Sequence, residues 1–137
     1  MGTAYQQAQL YSQTQVQHDI RDKSPIELVV LYYDSAILKL KVAKDRMERG
    51  DLIGKGEALS RAVAIIAELR AVLDKKSGGD IARKLDELYT YMLDQLTLAN
   101  FQNDGQRINR VIELMGMLHV SWKTVAQQPA GAGQPGL

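Results

Sequence analysis

The stretch that decides the fold is Ser24–Met47, SPIELVVLYYDSAILKLKVAKDRM. It opens with Ser24-Pro25-Ile26-Glu27, which is a serine whose side chain can accept a backbone N–H, a proline at the first helical position, and a glutamate three residues after the serine. That arrangement is a capping box and marks a helix start. Apolar residues then recur at Val29, Tyr33, Ala36, Leu40, Ala43 and Met47. Steps of four and three place them on one helical stripe, and such a stripe has to find a partner surface to bury it. Gly50-Asp51 supplies the stop and the next start.

The same period returns three times downstream. Leu59, Ala62, Ile66, Leu69 and Leu73 form a second stripe. Ser77-Gly78-Gly79 is expected to end that helix and Asp80 to cap a third, with its stripe at Ile81, Leu85, Leu88, Met92, Leu96 and Ala99. After the break at Asn103-Asp104-Gly105 comes a fourth stripe, Ile108, Val111, Met115, Leu118, Trp122 and Val125. The three prolines, Pro25, Pro129 and Pro135, all lie outside the periodic interior, so nothing in the chain between them forces a helix break. Helices of about 20 to 26 residues would be roughly 30 to 39 Å long. Similar lengths and short connections predict an all-α fold, an antiparallel up-down four-helix bundle spanning 23–126.

The flanks read differently. In residues 1–22 the apolar positions Tyr5, Leu10, Tyr11, Val16 and Ile20 fit no single helix face. This segment is expected to be a mobile N-terminal arm that docks on the bundle as a short cap. Residues 127–137, rich in Gly and Pro, are expected to be a flexible tail.

Composition excludes several classes of function. The 137-residue chain is 45% apolar and 24% charged, enough for a core and unlike a disordered polypeptide. Seventeen basic residues against sixteen acidic ones leave a net charge of +1, without the basic excess of a nucleic-acid binder. The absence of cysteine removes disulfides, thiolate zinc sites and thiol catalysis. The Gln-rich opening Met1–Gln17 has no basic segment followed by an apolar run and does not read as a Sec-type signal peptide. No apolar stretch approaches the roughly 20 residues that span a bilayer. The expected location is therefore cytoplasmic, without membrane insertion.

Catalytic motifs are weak. Glu-x-x-His, the signature of di-metal bundles, does not occur. Gly54-Lys55-Gly56-Glu57 has neither the preceding strand nor the Lys-Ser/Thr pair of a phosphate loop and reads as a helix-initiating turn. The histidines are His18 and His119. His119 carries the alternative functional reading, a helical phosphotransfer or signalling module with this residue as acceptor. Against it, His119-Val120-Ser121-Trp122-Lys123 sets the lysine one step late and lacks the glycine of the usual His-x-x-Lys-Gly. No catalytic residue, cofactor or metal is expected.

What stands out is apolar surface beyond the needs of a bundle. Leu28, Leu31, Leu38 and Val42 fall well off the first stripe, and Tyr89, Tyr91, Leu93 and Leu98 add a second ridge in the third helix. Four of the six tyrosines lie in these two helices, and aromatics with a polar tip suit interfaces. The expected use is a groove for a partner helix, covered in the free protein by the arm.

The residues that carry these readings also follow a family pattern. They are Tyr11; Ser24-Pro25-x-x-Leu28 with Leu31-Tyr32-x-Asp34; Gly50-Asp51; Lys55-Gly56-Glu57-Ala58-Leu59-Ser60; Ile65-Ile66-x-x-Leu69; Leu73-Asp74; Gly78-Gly79-Asp80-Ile81-Ala82; Leu85; Leu88-Tyr89-x-Tyr91-Met92; Leu96; Ala99-Asn100; Asp104 and Trp122. In this order and at these separations, from about Tyr11 to Lys123, the chain resembles the flagellin-specific export chaperones of bacterial flagella, the FliS type. The resemblance implies a non-enzymatic chaperone that binds the disordered C-terminal region of flagellin in the cytoplasm. That region becomes helical around the bundle, which prevents premature polymerisation, and the complex assists delivery to the export apparatus. It further implies delivery to the export gate, and leaves open contacts with other flagellar regulators and a homodimer formed by exchange of arms between two copies. Partner-binding positions expected on this basis are Tyr11, Leu28, Leu31, Leu38, Val42, Tyr89, Tyr91 and Leu93. Ala8 stands where related arms often carry a larger apolar residue, while Tyr11 keeps the gate contact of the pattern.

Overall fold

The computed structural model describes residues 24–128. They form four helices: α1 Pro25–Glu48, α2 Leu52–Ala71, α3 Lys75–Gln102 and α4 Gly105–Ala126. Each start has its own cap. Ser24 Oγ accepts from the Glu27 amide at 3.2 Å, Asp51 Oδ1 from the Gly54 amide at 2.9 Å, Asp74 Oδ1 from the Ser77 amide at 3.0 Å, and Asp104 Oδ1 from the Gln106 amide at 3.1 Å. These contacts satisfy backbone donors that the first turn leaves orphaned.

Connections of two or three residues force each helix to run back along its predecessor. The cross-contacts agree: Lys55 near the start of α2 reaches the Asn100 carbonyl at the end of α3 at 3.1 Å, and Arg70 at the end of α2 meets Asp86 early in α3 at 2.8 Å. The helices form a ring, α1 against α2 and α4, α3 against α2 and α4. This is the antiparallel four-helix bundle.

The core is built from the predicted stripes with local shifts. Ile26, Val29, Tyr33, Ala36, Leu40 and Ala43 are buried on α1, and Ala58, Leu59, Ala62, Ile66 and Leu69 on α2. On α4 the buried residues are Ile108, Val111, Met115 and Trp122, with Leu118 and Val125 half-buried beside them. In α3 the expectation needs correcting. Ile81 is exposed and Ala82 takes its place, while Leu88 yields its central position to Tyr89. The cause is a shift of the helix start. α2 ends at Ala71, α3 is capped by Asp74 rather than Asp80, and its first turn breaks at Gly79, where φ is 55° and ψ −129°. A backbone of that kind belongs to glycine, and it resets the face that the following residues present.

Tyr33 of α1 and Tyr89 of α3 lie on diagonal helices, and their hydroxyls meet at 2.6 Å inside the core. Burial pushes both phenols above their ordinary range. They are therefore neutral partners in a hydrogen bond that ties the two helices of this diagonal together. The position of Tyr89 corrects its expected place on an exposed ridge: it is 1% exposed and belongs to the core.

Candidate functional site: the groove between α1 and α4

The outward face of α1 carries a row of aliphatic side chains. At 100° per residue, Leu31, Leu38 and Val42 lie within about 40° of one another and roughly opposite the buried stripe. All three are exposed, Leu38 at 58%. Leu28 is half-buried.

Two depressions lie end to end where α1 passes α4. One, of about 240 Å³, is lined by Glu27, Val30, Leu31, Lys123, Ala126 and Gln127. The other, of about 420 Å³, is lined by Asp34, Ile37, Leu38, Lys41, Ile112, Gly116 and His119. They share both walls and form one groove. Gly116 keeps the second depression open: a Cβ there would meet nothing within 4 Å. Helix geometry sets exposed Val120 about 40° from Gly116 around α4, on the side of the groove. Leu31 and Leu38, seven residues apart, give the α1 wall two apolar contacts one heptad apart, the spacing at which an amphipathic helix presents its own apolar residues.

Polar groups interrupt this surface at one level. His119 stacks against Tyr33, with ring centroids 6.5 Å apart and planes 21° apart. Its Nε2 lies 2.7 Å from Asp34 Oδ1, without hydrogen-bond alignment. The arrangement does not suit phosphoryl transfer. Nε2 is sheltered from solvent and faces a carboxylate, which would repel an incoming phosphoryl group. Among the described residues no group of three or more His, Asp or Glu side chains is placed to hold a metal ion, and no helix is long and apolar enough to cross a membrane.

The expected α3 ridge is divided by the fold. Tyr89 is core. Leu93 is half-buried and lines a depression between α2 and α3 with Ala67 and Arg70. Tyr91 remains on the surface beside α4, where the Arg110 guanidinium donates to its hydroxyl at 3.4 Å. Because α1 and α3 are diagonal, their apolar residues line different sides of the bundle and do not make one shared groove. Tyr11 lies outside the described residues.

Sequence reasoning passed over Phe101, 88% exposed, and Met117 and Val120 on α4. The spacing Tyr91–Leu98–Phe101, steps of seven and three, carried the signal for an outward ridge on α3. Lys55 was legible only as part of a turn. It is 5% exposed, and its ammonium group is held by the Asn100 carbonyl and the Asn103 side-chain oxygen, clamping α2 to the left-handed end of α3.

A four-helix ring with a side groove is shared by many proteins, and comparison decides among them. Residues 5–129 match the family model described as flagellar protein FliS. The chain belongs to the FliS family. It is 40% identical over 117 residues to the flagellar secretion chaperone FliS of Salmonella typhimurium, covering 85% of this chain and 87% of that one. With the protein of the same name from Vibrio cholerae it shares 37% over 117 residues, 85% and 86% of the two chains. With that of Bacillus subtilis it shares 26% over 111 residues, 81% and 82%. FliS proteins are flagellar secretion chaperones, so this chain has an export chaperone's role and is not an enzyme. That finding removes the phosphotransfer alternative built on His119.

Proposed function

We propose that this FliS-family protein acts in the cytoplasm by binding the disordered C-terminal region of flagellin, laying an amphipathic stretch of it as a helix in the α1–α4 groove. The observation that supports this reading is the groove itself, two apolar depressions in line along α1 and α4 with Leu31 and Leu38 on the wall. Flagellin termini are amphipathic and bury their apolar faces against other flagellins. A face laid in the groove is withdrawn from that competition, which holds the subunit unpolymerised until export. The outward ridge of Tyr91, Leu98 and Phe101 on the far side suits a second stretch of the same chain, since an extended segment can wrap a larger surface than one groove. The segment 1–22 is the proposed competitor for the groove in the free protein, and Tyr11 the proposed contact with the export gate. Other flagellar regulators, and a second copy through exchanged arms, are further proposed partners. No cofactor enters this scheme.

Ordering the flagellin segment on binding has an entropic cost, so affinity is moderate for the area buried. The test is calorimetric titration of the full chain with the flagellin C-terminal segment, with circular dichroism of the mixture. One-to-one binding and a helical signal above the sum of the parts are expected. Additive spectra at saturating concentrations would contradict folding on binding, and absence of binding would refute the reading.

A further inference from the structure

Asp34 of α1 and His119 of α4 meet in the α1–α4 groove, with Nε2 2.7 Å from Oδ1. The two side chains are unequally sheltered. Asp34 is 56% exposed and His119 18%, and Nε2 itself has neither solvent nor an aligned hydrogen-bond partner. We propose that occupation of this groove is proton-linked through His119: a helix laid over Asp34 is held more tightly by protein whose His119 is positively charged. The inference rests on the reading that the groove receives a helical flagellin segment.

The sign follows from what the occupant displaces. In the free protein, water solvates the exposed Asp34 carboxylate and weakens its hold on the ring. A helix seated above it removes that water. With His119 neutral, a carboxylate would then be covered without a counter-charge, which is unfavourable. With His119 protonated, a net-neutral pair is covered, and its attraction rises as the local dielectric falls. Covering a charged ring carries its own penalty, but Nε2 is already out of solvent, so little further desolvation remains. Occupation therefore favours the proton, and by linkage the proton favours occupation.

The other charged groups lining the groove stand on both of its walls. They are Lys41 and Glu27 on α1 and Lys123, one turn after His119 on α4. All three are exposed. From the core side, Tyr33 stacks on the ring with Tyr89 of α3 behind it, and both are neutral hydroxyls. Asp34 is the charged group in contact with Nε2.

The experiment is calorimetry of the full chain with a histidine-free flagellin C-terminal segment between about pH 8 and pH 6, the range in which imidazole titrates. Affinity is expected to rise several-fold as pH falls. Heats measured in phosphate and in Tris near pH 7 are expected to show net proton uptake by the wild-type protein. His119→Gln and Asp34→Asn, each checked for native helical signal, are expected to bind with affinity nearly independent of pH. A wild-type affinity indifferent to pH, with no proton uptake, overturns the inference while the chaperone reading stands. So does a pH dependence that His119→Gln retains, which would point to another group such as His18. A segment that binds at neither pH overturns both.

Discussion

Two leucines two residues apart on α1 have opposite surroundings, and that contrast separates groove from core at the scale of a residue. Leu40 is fully buried and Leu38 is 58% exposed. Leu40→Gln would lose buried packing, worth about 2–5 kcal/mol for a large truncation, and would strand an amide at a further cost of about 1–3 kcal/mol. A marginally stable domain does not survive the sum. Leu38→Gln should change the urea midpoint little, within about 0.5 kcal/mol, while weakening binding of the flagellin segment. If both variants melt alike, the outward ridge is structural. On α3 the matching surface probe is Tyr91, since Leu93 packs against the core. The tyrosine pair makes a second residue-scale prediction. Tyr33→Phe or Tyr89→Phe alone leaves one buried hydroxyl without its 2.6 Å partner, at about 1–3 kcal/mol. The double variant leaves none, so its loss in urea denaturation should be smaller than the two single losses added together. Strict additivity would mean the hydroxyls are not coupled.

Within the helices, glycine has two different uses, and the same substitution should change sign between them. Gly116 sits inside α4 with open space where a Cβ would go. Gly116→Ala should therefore raise stability by about 0.5–1 kcal/mol through helix propensity. Gly79 interrupts α3 with φ 55° and ψ −129°. Gly79→Ala forces an L-residue into glycine-only backbone and should lower stability by about 1–3 kcal/mol. Chemical denaturation of the two variants side by side checks the pair, and two changes of the same sign would contradict the break at Gly79. This break also explains what could be read from the sequence. Periodicity located α1 and α4 closely, whereas α2, expected to run through Leu73 to a stop at Ser77-Gly78-Gly79, ends at Ala71 and leaves Leu73 in the connection to α3. In α3 the expected cap was Asp80, whereas Asp74 starts the helix, and periodicity alone does not locate a helix start. Choosing Asp80 moved Ile81 inward and left Tyr89 on the surface. The groove was only half legible. Surplus leucines on α1 were visible, but a stripe does not reveal which neighbour stands beside it. The α4 wall, Ile112, Gly116 and His119, and the separation of the α1 and α3 surfaces became apparent only once the order of helices around the ring was known.

At the scale of the molecule, the question is whether the bundle stands without the segment that precedes it. The buried cluster among the described residues runs from Ile26 to Trp122. The ring closes through α1 against α4, so each helix has two neighbours within residues 25–126. The Tyr33–Tyr89 hydrogen bond and the Lys55 clamp join helices that are not consecutive or fasten their ends, and both lie inside the same span. A closed ring with its own caps has the burial and the satisfied backbone that cooperative folding needs. Removal of Met1–Gln17 should therefore leave a helical protein that unfolds in a single transition, with the slope of the urea curve nearly unchanged. The same deletion should alter how apolar surface is presented. If the segment competes for the α1–α4 groove, the truncated protein binds the flagellin C-terminal segment more tightly, takes up more hydrophobic dye, and self-associates at lower concentration in size-exclusion chromatography. A truncated chain that loses its cooperative transition would place the segment in the core. One that folds and binds flagellin no differently would remove it from the groove and leave that surface open in the free protein.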